Sequence, residues 1–435
     1  MATDVDVQYF SHLNGLTLGN NWGDLIRLLD KALVNGIDFT QITAASIDEQ
    51  GNVHITLYSA HNSILFQVVE LFGFTPASLN QKYRIKGVPN TTQLILKPVL
   101  DIAERSITAI GVGKLAPLGY EIVFRDAGDV KRVYRAKNPS TQHPFIRVDE
   151  SQTTTDGTTG VYNSTYAKSA MVGLVENMTH IDDYTDTSKL QLPLDTTNFS
   201  KNWKITGTGT GVVRGWSKWY WATIAFDSMG LSESNTPPAA AWGRTFTLTG
   251  DKDAFYILQN PAGIWEYKIL YGCGLFNSAL PSDVIPNWFL MTTNNNNPAS
   301  YGFYQVDGIT PIVGYVSAQK TQFITTTYSV DDRIKSQEYA YHLGPSHQSG
   351  KDNLYIGSDL PALEIAFCDS GAMSSGKKRL RGSLKHLCYA GKQTNTNQTK
   401  PLLSENSLYV TDACYTVNSS QSNYGCVYFY LGELE

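Results

Sequence analysis

The side chains best placed for chemistry in this chain are carboxylates in close sequence, Asp182-Asp183 with Asp186 and Asp331-Asp332. Two carboxyls roughly 5–9 Å apart across a sugar ring can cleave a glycosidic bond. Sequence spacing does not set that distance. Asp is common in turns because its side chain bonds its own backbone, and here the turn reading outweighs the catalytic one. The histidines are His12, His54, His61, His143, His180, His342, His347 and His386. None forms HExxH or HxH, and His347 in the loop Gly344–Gly350 with His342 just before it reads as an exposed pair rather than two metal ligands. No GxSxG elbow is present. Gly207-Thr208-Gly209-Thr210-Gly211 lacks the Lys-Ser/Thr of a phosphate loop, and Gly111-Val112-Gly113 fails in the same way. The expectation is a chain without catalytic residues, metal or cofactor.

Two further groups invite contact rather than catalysis. Trp216, Trp219, Tyr220 and Trp221 form an aromatic cluster. On a strand, alternation puts Trp219 and Trp221 on one face and Tyr220 on the other. Such a cluster serves a core or a subunit interface before it serves as a sugar platform. The densest positive patch is Lys377-Lys378-Arg379 with Arg381 and Lys385. A salt bridge to an acidic neighbouring subunit is its first reading.

The elements that must position these residues follow from composition and periodicity. The chain has 435 residues, 42% hydrophobic and 17% charged, with a formal net charge of −5. That is enough apolar content for packed cores and reads as roughly two to four domains. The acidic balance removes the electrostatic reason to expect nucleic acid. No 18-residue apolar run exists, so no helical membrane insertion is expected, and the polar start Met1–Asp6 does not read as a secretory signal. Cys273, Cys368, Cys388, Cys414 and Cys426 include no CxxC and read as free thiols. Without a secretory route, the sequons at Asn90, Asn163, Asn177, Asn198, Asn397 and Asn418 report only Asn/Ser/Thr richness.

Trp22, Leu25, Ile26, Leu28, Leu29, Ala32 and Leu33 recur at helical steps and predict an amphipathic helix over Trp22–Val34. Asn20 or Asn21 would cap it and Gly36 would end it. From Phe39 the period becomes two. Val53, Ile55 and Leu57 alternate with His54 and Thr56, and short strands follow at Gln67–Gly73, Tyr83–Val88 and Thr91–Leu96. Later, Glu121–Arg125 and Lys131–Ala136 flank Asp126-Ala127-Gly128-Asp129 as a hairpin, with another strand at Pro144–Asp149. Arg244–Thr249, Ala254–Gln259 and Trp265–Phe276 continue the rhythm, as do Tyr301–Tyr304, Ile312–Ser317, Phe323–Tyr328, Leu363–Cys368, Ser407–Val410 and Val427–Leu431. Tyr166–Met178 has helical spacing and reads as a short helix, or as a strand that breaks alternation. The fold class is mostly β. An N-terminal segment with the amphipathic helix (1–36) precedes a small β-domain (37–98), a connector (99–116) and a larger β-sandwich-like region with loops (117–435).

The order of pieces carries a resemblance. Ser11-His12-Leu13-Asn14-Gly15, Asn20-Asn21-Trp22-Gly23-Asp24-Leu25-Ile26 and Leu29-Asp30-Lys31-Ala32-Leu33-Val34-Asn35-Gly36 open the chain. This opening resembles a family of tailed-bacteriophage virion structural proteins of the tail and baseplate type. In that family a small β-module follows, carrying His-Gly and then Leu-Asn-Gly-x-Tyr-x-Val. Here His61-Asn62 and Leu79-Asn80-Gln81-Lys82-Tyr83-Arg84-Ile85 stand in those places, with both glycines replaced. Ala116–Glu121, Val133–Ala136, Phe145–Asp149 and the basic segment Arg379–Leu387 complete the order, and Gly432-Glu433 fits weakly.

The resemblance implies a particle component with no catalytic residues. Its partners would be other tail or baseplate proteins and further copies of itself under rotational symmetry, and its place the virion. The residues expected at interfaces are Trp22, Leu25, Ile26, Leu29 and Leu33, then Trp216, Trp219 and Trp221, then Lys377, Lys378, Arg379 and Arg381. The alternative is a host-surface receptor-binding protein or glycan-cleaving tailspike. The chain shows no period of roughly 20–50 residues, which counts against a solenoid of that kind.

Overall fold

A computed structural model describes residues 4–153, 160–194, 198–207, 212–223, 244–261, 268–279, 286–294, 321–326, 363–369, 379–390, 399–415 and 424–434. The expected strands Tyr301–Tyr304 and Ile312–Ser317 lie outside these residues. The chain is mostly β, and its strands pair antiparallel in three large sheets.

The first sheet runs in the order 37–38, 112–115, 68–72, 82–90, 93–98, 53–57, 42–47. Its strand Val53–Leu57 shows why the alternation was legible: Val53, Ile55 and Leu57 are buried, while His54 and Thr56 are partly exposed. Asp48 closes the preceding turn by accepting from Asn52 N–H at 2.8 Å, the side-chain-to-backbone bond that suits Asp to turns. The segment 99–116, read as a connector, contributes the strand Val112–Leu115. It inserts between Ile37–Asp38 and Val68–Phe72.

The second sheet has twelve strands. Its main path is 8–11, 246–250, 254–259, 269–275, 288–294, 217–222, 168–175, 145–149, 131–136, 120–125. Residues 8–11 sit at its edge, paired with Phe246–Gly250 some 240 positions later (250 − 8 = 242 for Gln8 with Gly250). The stretch with helical spacing is the strand Lys168–Val175, and every one of its residues is buried. It lies inside the sheet with a core on each side. Ala170, Val172 and Leu174 face one core, Met171 and Val175 two others. A strand covered on both faces has no polar face to show, so alternation vanishes and chance spacing resembles a helix.

The third sheet joins Asn277–Ser278, Arg379–Ala390, Tyr424–Glu433, Ser407–Tyr415 and Lys400–Ser404, with Leu363–Asp369 also on Arg379–Ala390. It packs on the second sheet through a shared core in which Tyr256, Leu258, Phe289 and Phe323 meet Phe367, Leu387, Val410 and Phe429. Lys268 and Asp412, both buried, form an ion pair across this contact, and Thr247 Oγ donates to Asp412 at 2.9 Å.

The N-terminal helix differs from expectation. A six-residue α-helix, Asp24–Leu29, runs directly into a π-helical turn, Asp30–Asn35. Its solvent strip is narrow, only Arg27, Lys31 and Asn35, because two sheets enclose it. Leu25, Ile26, Leu29 and Leu33 share one core with Val69 and Leu115 of the first sheet and with Tyr134 and Trp219 of the second. Gly36 ends the segment at φ 73°, where an added Cβ would lie 2.1 Å from Leu115 O, so only glycine fits.

Among the described thiols, Cys273, Cys388 and Cys426 are free, as the sequence led one to expect for them. Among the described residues no helix is long and apolar enough to cross a membrane.

Candidate functional site

The residues expected at interfaces whose side chains are described lie inside the chain, apart from the partly exposed Trp22. Leu25, Ile26, Leu29 and Leu33 are fully buried, as are Trp219 and Trp221, with Trp216 nearly so. Trp219 stacks on Tyr271 and donates its indole N–H to Met291 O at 2.8 Å. Trp219 and Trp221 share one core and Tyr220 is not part of it, which is the alternation of a strand. Trp22 is partly exposed. Its ring meets Tyr162 and Trp221 edge-on, and the Arg214 guanidinium sits 4.8 Å from its centroid. These aromatics act as core, because the twelve-stranded sheet is covered on both faces where they stand. Arg381 is also buried: its guanidinium lies 5.2 Å from the Phe276 ring and donates to Thr326 O. It therefore takes no part in a surface basic patch. Arg379 opens its strand, and Lys377 and Lys378 lie outside the described residues.

The carboxylates read as glycosidase candidates are held in ion pairs. Asp182 binds Arg147 at 2.6 Å and Lys131 at 3.1 Å. Asp183 binds Lys189 at 2.7 Å, and that bond and the Thr179 N–H pull its pKa down to about 2. Asp186 accepts from Ser188 N–H within its own turn. Asp331, Asp332, His342 and His347 lie outside the described residues.

Two acidic arrangements were not anticipated. Glu150, wholly buried at the end of the strand Phe145–Asp149, accepts from Gly23 N–H and from Ile26 N–H at the helix start. It supplies the cap expected of Asn20 or Asn21 from more than a hundred residues away. Burial pushes its carboxyl up to about 8, against the two N–H groups and Arg214 that favour the anion. The folded chain thus keeps a proton that the unfolded chain releases near pH 4.5. The expected outcome is a stability that falls as pH rises from about 4.5 to about 8. Glu150→Gln, which cannot titrate, should flatten that part of the profile in urea unfolding followed by circular dichroism.

The second arrangement centres on the turn Asp251–Asp253. His143 Nε2 donates to Asp253 at 2.9 Å, while its Nδ1 lies 2.8 Å from Ser140 Oγ. This has the outline of a nucleophile relay. The Ser140 backbone N–H donates to the same Nδ1 at 2.9 Å, so the ring closes the 140–143 turn. Hydrogen bonds from His143, Lys252 and Lys385 hold Asp253 far below the usual carboxylate range despite its burial.

Beside this turn, the strand Arg379–Ala390 breaks register with Leu363–Asp369. Ser383 faces Ala366 and Cys388 faces Glu364, so Leu384, Lys385, His386 and Leu387 stand opposite Ile365 alone. The bulge places His386 at φ 58°, a left-handed conformation that few non-glycine residues adopt, although histidine adopts it more often than most. His386 Nε2 is held by Asp251 Oδ2 at 2.9 Å, and Lys385 Nζ by Asp253 Oδ2 at 2.5 Å. A cavity of about 440 Å³ opens here, bounded by the bulge, Asp251, Asn277, Glu364 and Tyr430. That volume lies within the roughly 300–1,000 Å³ of small-ligand sites. Strained residues persist only where surrounding structure over-determines them, and they cluster at functional sites. The sequence marked Arg379–Leu387 only as basic. The bulge depends on pairing with a strand outside that segment, so no local signal announced it.

No family model matches the chain, and no curated protein matches it. Among solved structures, the chain is similar to the phage phi92 endosialidase at 9% identity and a TM-score of 0.14, over 92% of this chain and 51% of that one. The chain spans about half the length of that structure.

Proposed function

We propose that this chain is a non-enzymatic structural component of a bacteriophage virion, of the tail or baseplate, acting through interfaces with other tail proteins and with copies of itself under rotational symmetry. The observation that supports this most is an apolar face left open on the first sheet. Phe72 and Val112 are directly paired across neighbouring strands, so their side chains share a face, and they are 42% and 51% exposed. Ile110, two residues before Val112, is 45% exposed, and the Glu70–Lys114 ion pair borders the patch. Apolar residues with a polar rim are what an interface core needs. Asp182, Asp183 and Asp186, by contrast, are held in structural ion pairs and turns.

Sedimentation velocity of the full chain tests the reading. Wild type should self-associate, and Phe72→Glu with Val112→Glu should weaken association by at least about thirtyfold, the equivalent of roughly 2 kcal/mol at a central interface residue. Melting of the double variant should fall only slightly, since both positions are about half exposed and the two glutamates repel each other across the strand pair. A wild type that stays monomeric at high concentration counts against the proposal. A copy number near six or twelve per particle, by quantitative mass spectrometry, would support a baseplate ring.

A second reading, a host-surface binding role, is favoured by one observation. The bulge at Leu384–Leu387 holds His386 in a strained conformation beside an open cavity.

A further inference from the structure

We propose that the cavity beside the bulge is a subsite for one neutral sugar ring of a carbohydrate. This deepens the host-surface reading and rests on its cavity, but not on where in a particle the chain sits.

The ligand class follows from charge and hydrogen-bonding capacity. Lys385 is paired with Asp253 and the His386 ring is held by Asp251, so the groups on this wall that could attract an anion are already engaged. Glu364 remains. Ser383 Oγ donates to one of its oxygens, and among the described residues no cation pairs with it. An anionic ligand such as a phosphate or an acidic sugar would meet that uncompensated charge. A cationic ligand would gain only Glu364, which is exposed and already accepts from Ser383 Oγ.

Hydroxyl groups suit what remains. The second Glu364 oxygen can accept from a hydroxyl. The Asn277 side-chain amide, which is exposed, can both donate and accept. The His386 ring, with Nε2 on Asp251, keeps Nδ1 for a third contact. Tyr430, partly exposed, lines the same cavity and offers aromatic surface to the C–H face of a sugar ring. The bulge brings these groups together, because a regular strand would send Lys385 and Leu387 to one face and His386 to the other.

Saturation-transfer NMR on the full chain tests this, with D-glucose, D-galactose and N-acetylglucosamine as neutral probes and glucuronate and inorganic phosphate as anionic ones. At least one neutral probe should give a signal, and the anions should give none. Glu364→Gln, which loses the charged acceptor, should weaken binding by about tenfold or more. His386→Gly should remain folded by circular dichroism, since glycine adopts this backbone freely, yet lose the signal. Silence from every neutral probe would overturn the proposal, as would a stronger signal from glucuronate or phosphate. Binding by both variants at the wild-type level would also overturn it. None of these results depends on self-association, so the assembly reading stands or falls separately.

Discussion

Arg84→Leu is expected to destabilise the chain by about 3–5 kcal/mol, read as a lowered urea midpoint by circular dichroism. The Arg84 guanidinium is fully buried, and every hydrogen bond it makes goes to a backbone carbonyl. Nε and Nη2 both donate to Asp4 O, at 2.9 and 2.5 Å. Nη1 donates to Val7 O at 3.1 Å and to Phe66 O at 2.7 Å, and Nη2 donates again to Leu431 O at 2.7 Å. All five N–H groups are thus engaged, and they tie the N-terminal strand, the first sheet and the C-terminal strand at one point. Burial lowers the guanidinium to about 10, so it stays charged at neutral pH. Leucine would fill much of the volume but leave four carbonyls without their donor. Arg84→Lys should rescue little, because an ammonium offers only three donors from a single point. If either variant unfolds within about 0.5 kcal/mol of wild type, this residue is not the fastener described.

Leu29→Asp should be comparably severe, at several kcal/mol, because it places a carboxylate in the core between the two sheets. Leu29 is wholly buried, and the cationic side chains near it are already engaged. Arg132 binds Asp30 at 3.2 Å, and Tyr134 donates to Asp30 at 2.7 Å. Lys31→Glu, on the narrow solvent strip, should change stability by no more than about 0.5 kcal/mol. Parallel thermal melts of the two variants separate the cases. Equal melting of Leu29→Asp and wild type, or a larger loss in Lys31→Glu, would mean that the helix faces have been assigned the wrong way round. Incorporation of the variants into particles is a separate readout, and it bears on the proposed assembly role.

Whatever is encoded within about ten residues could be read from the sequence by itself. Val53–Leu57 alternates because one face is buried and the other is not. Tyr120–Arg125 and Lys131–Ala136 form a hairpin, and Asp126 accepts from Gly128 N–H and Val130 N–H in the turn between them. Ala254–Gln259 occupies the expected residues. The mostly-β class followed from many such local signals, and so did the turn character of Asp183 and Asp186.

Only the tertiary structure decided the features in which distant segments cover or cap one another. Lys168–Val175 lost its alternation because cores press on both faces, and periodicity cannot tell such a strand from a helix. Trp216, Trp219 and Trp221 became core rather than interface for the same reason, since an apolar side chain is equally satisfied by either kind of burial. The helix start is capped by Glu150, and residues 8–11 pair with 246–250, neither of which leaves a local mark. The candidate cavity exists because four residues oppose one across a strand pair. Register is a relation between segments, fixed by the packing of both, and so it is absent from either segment read alone.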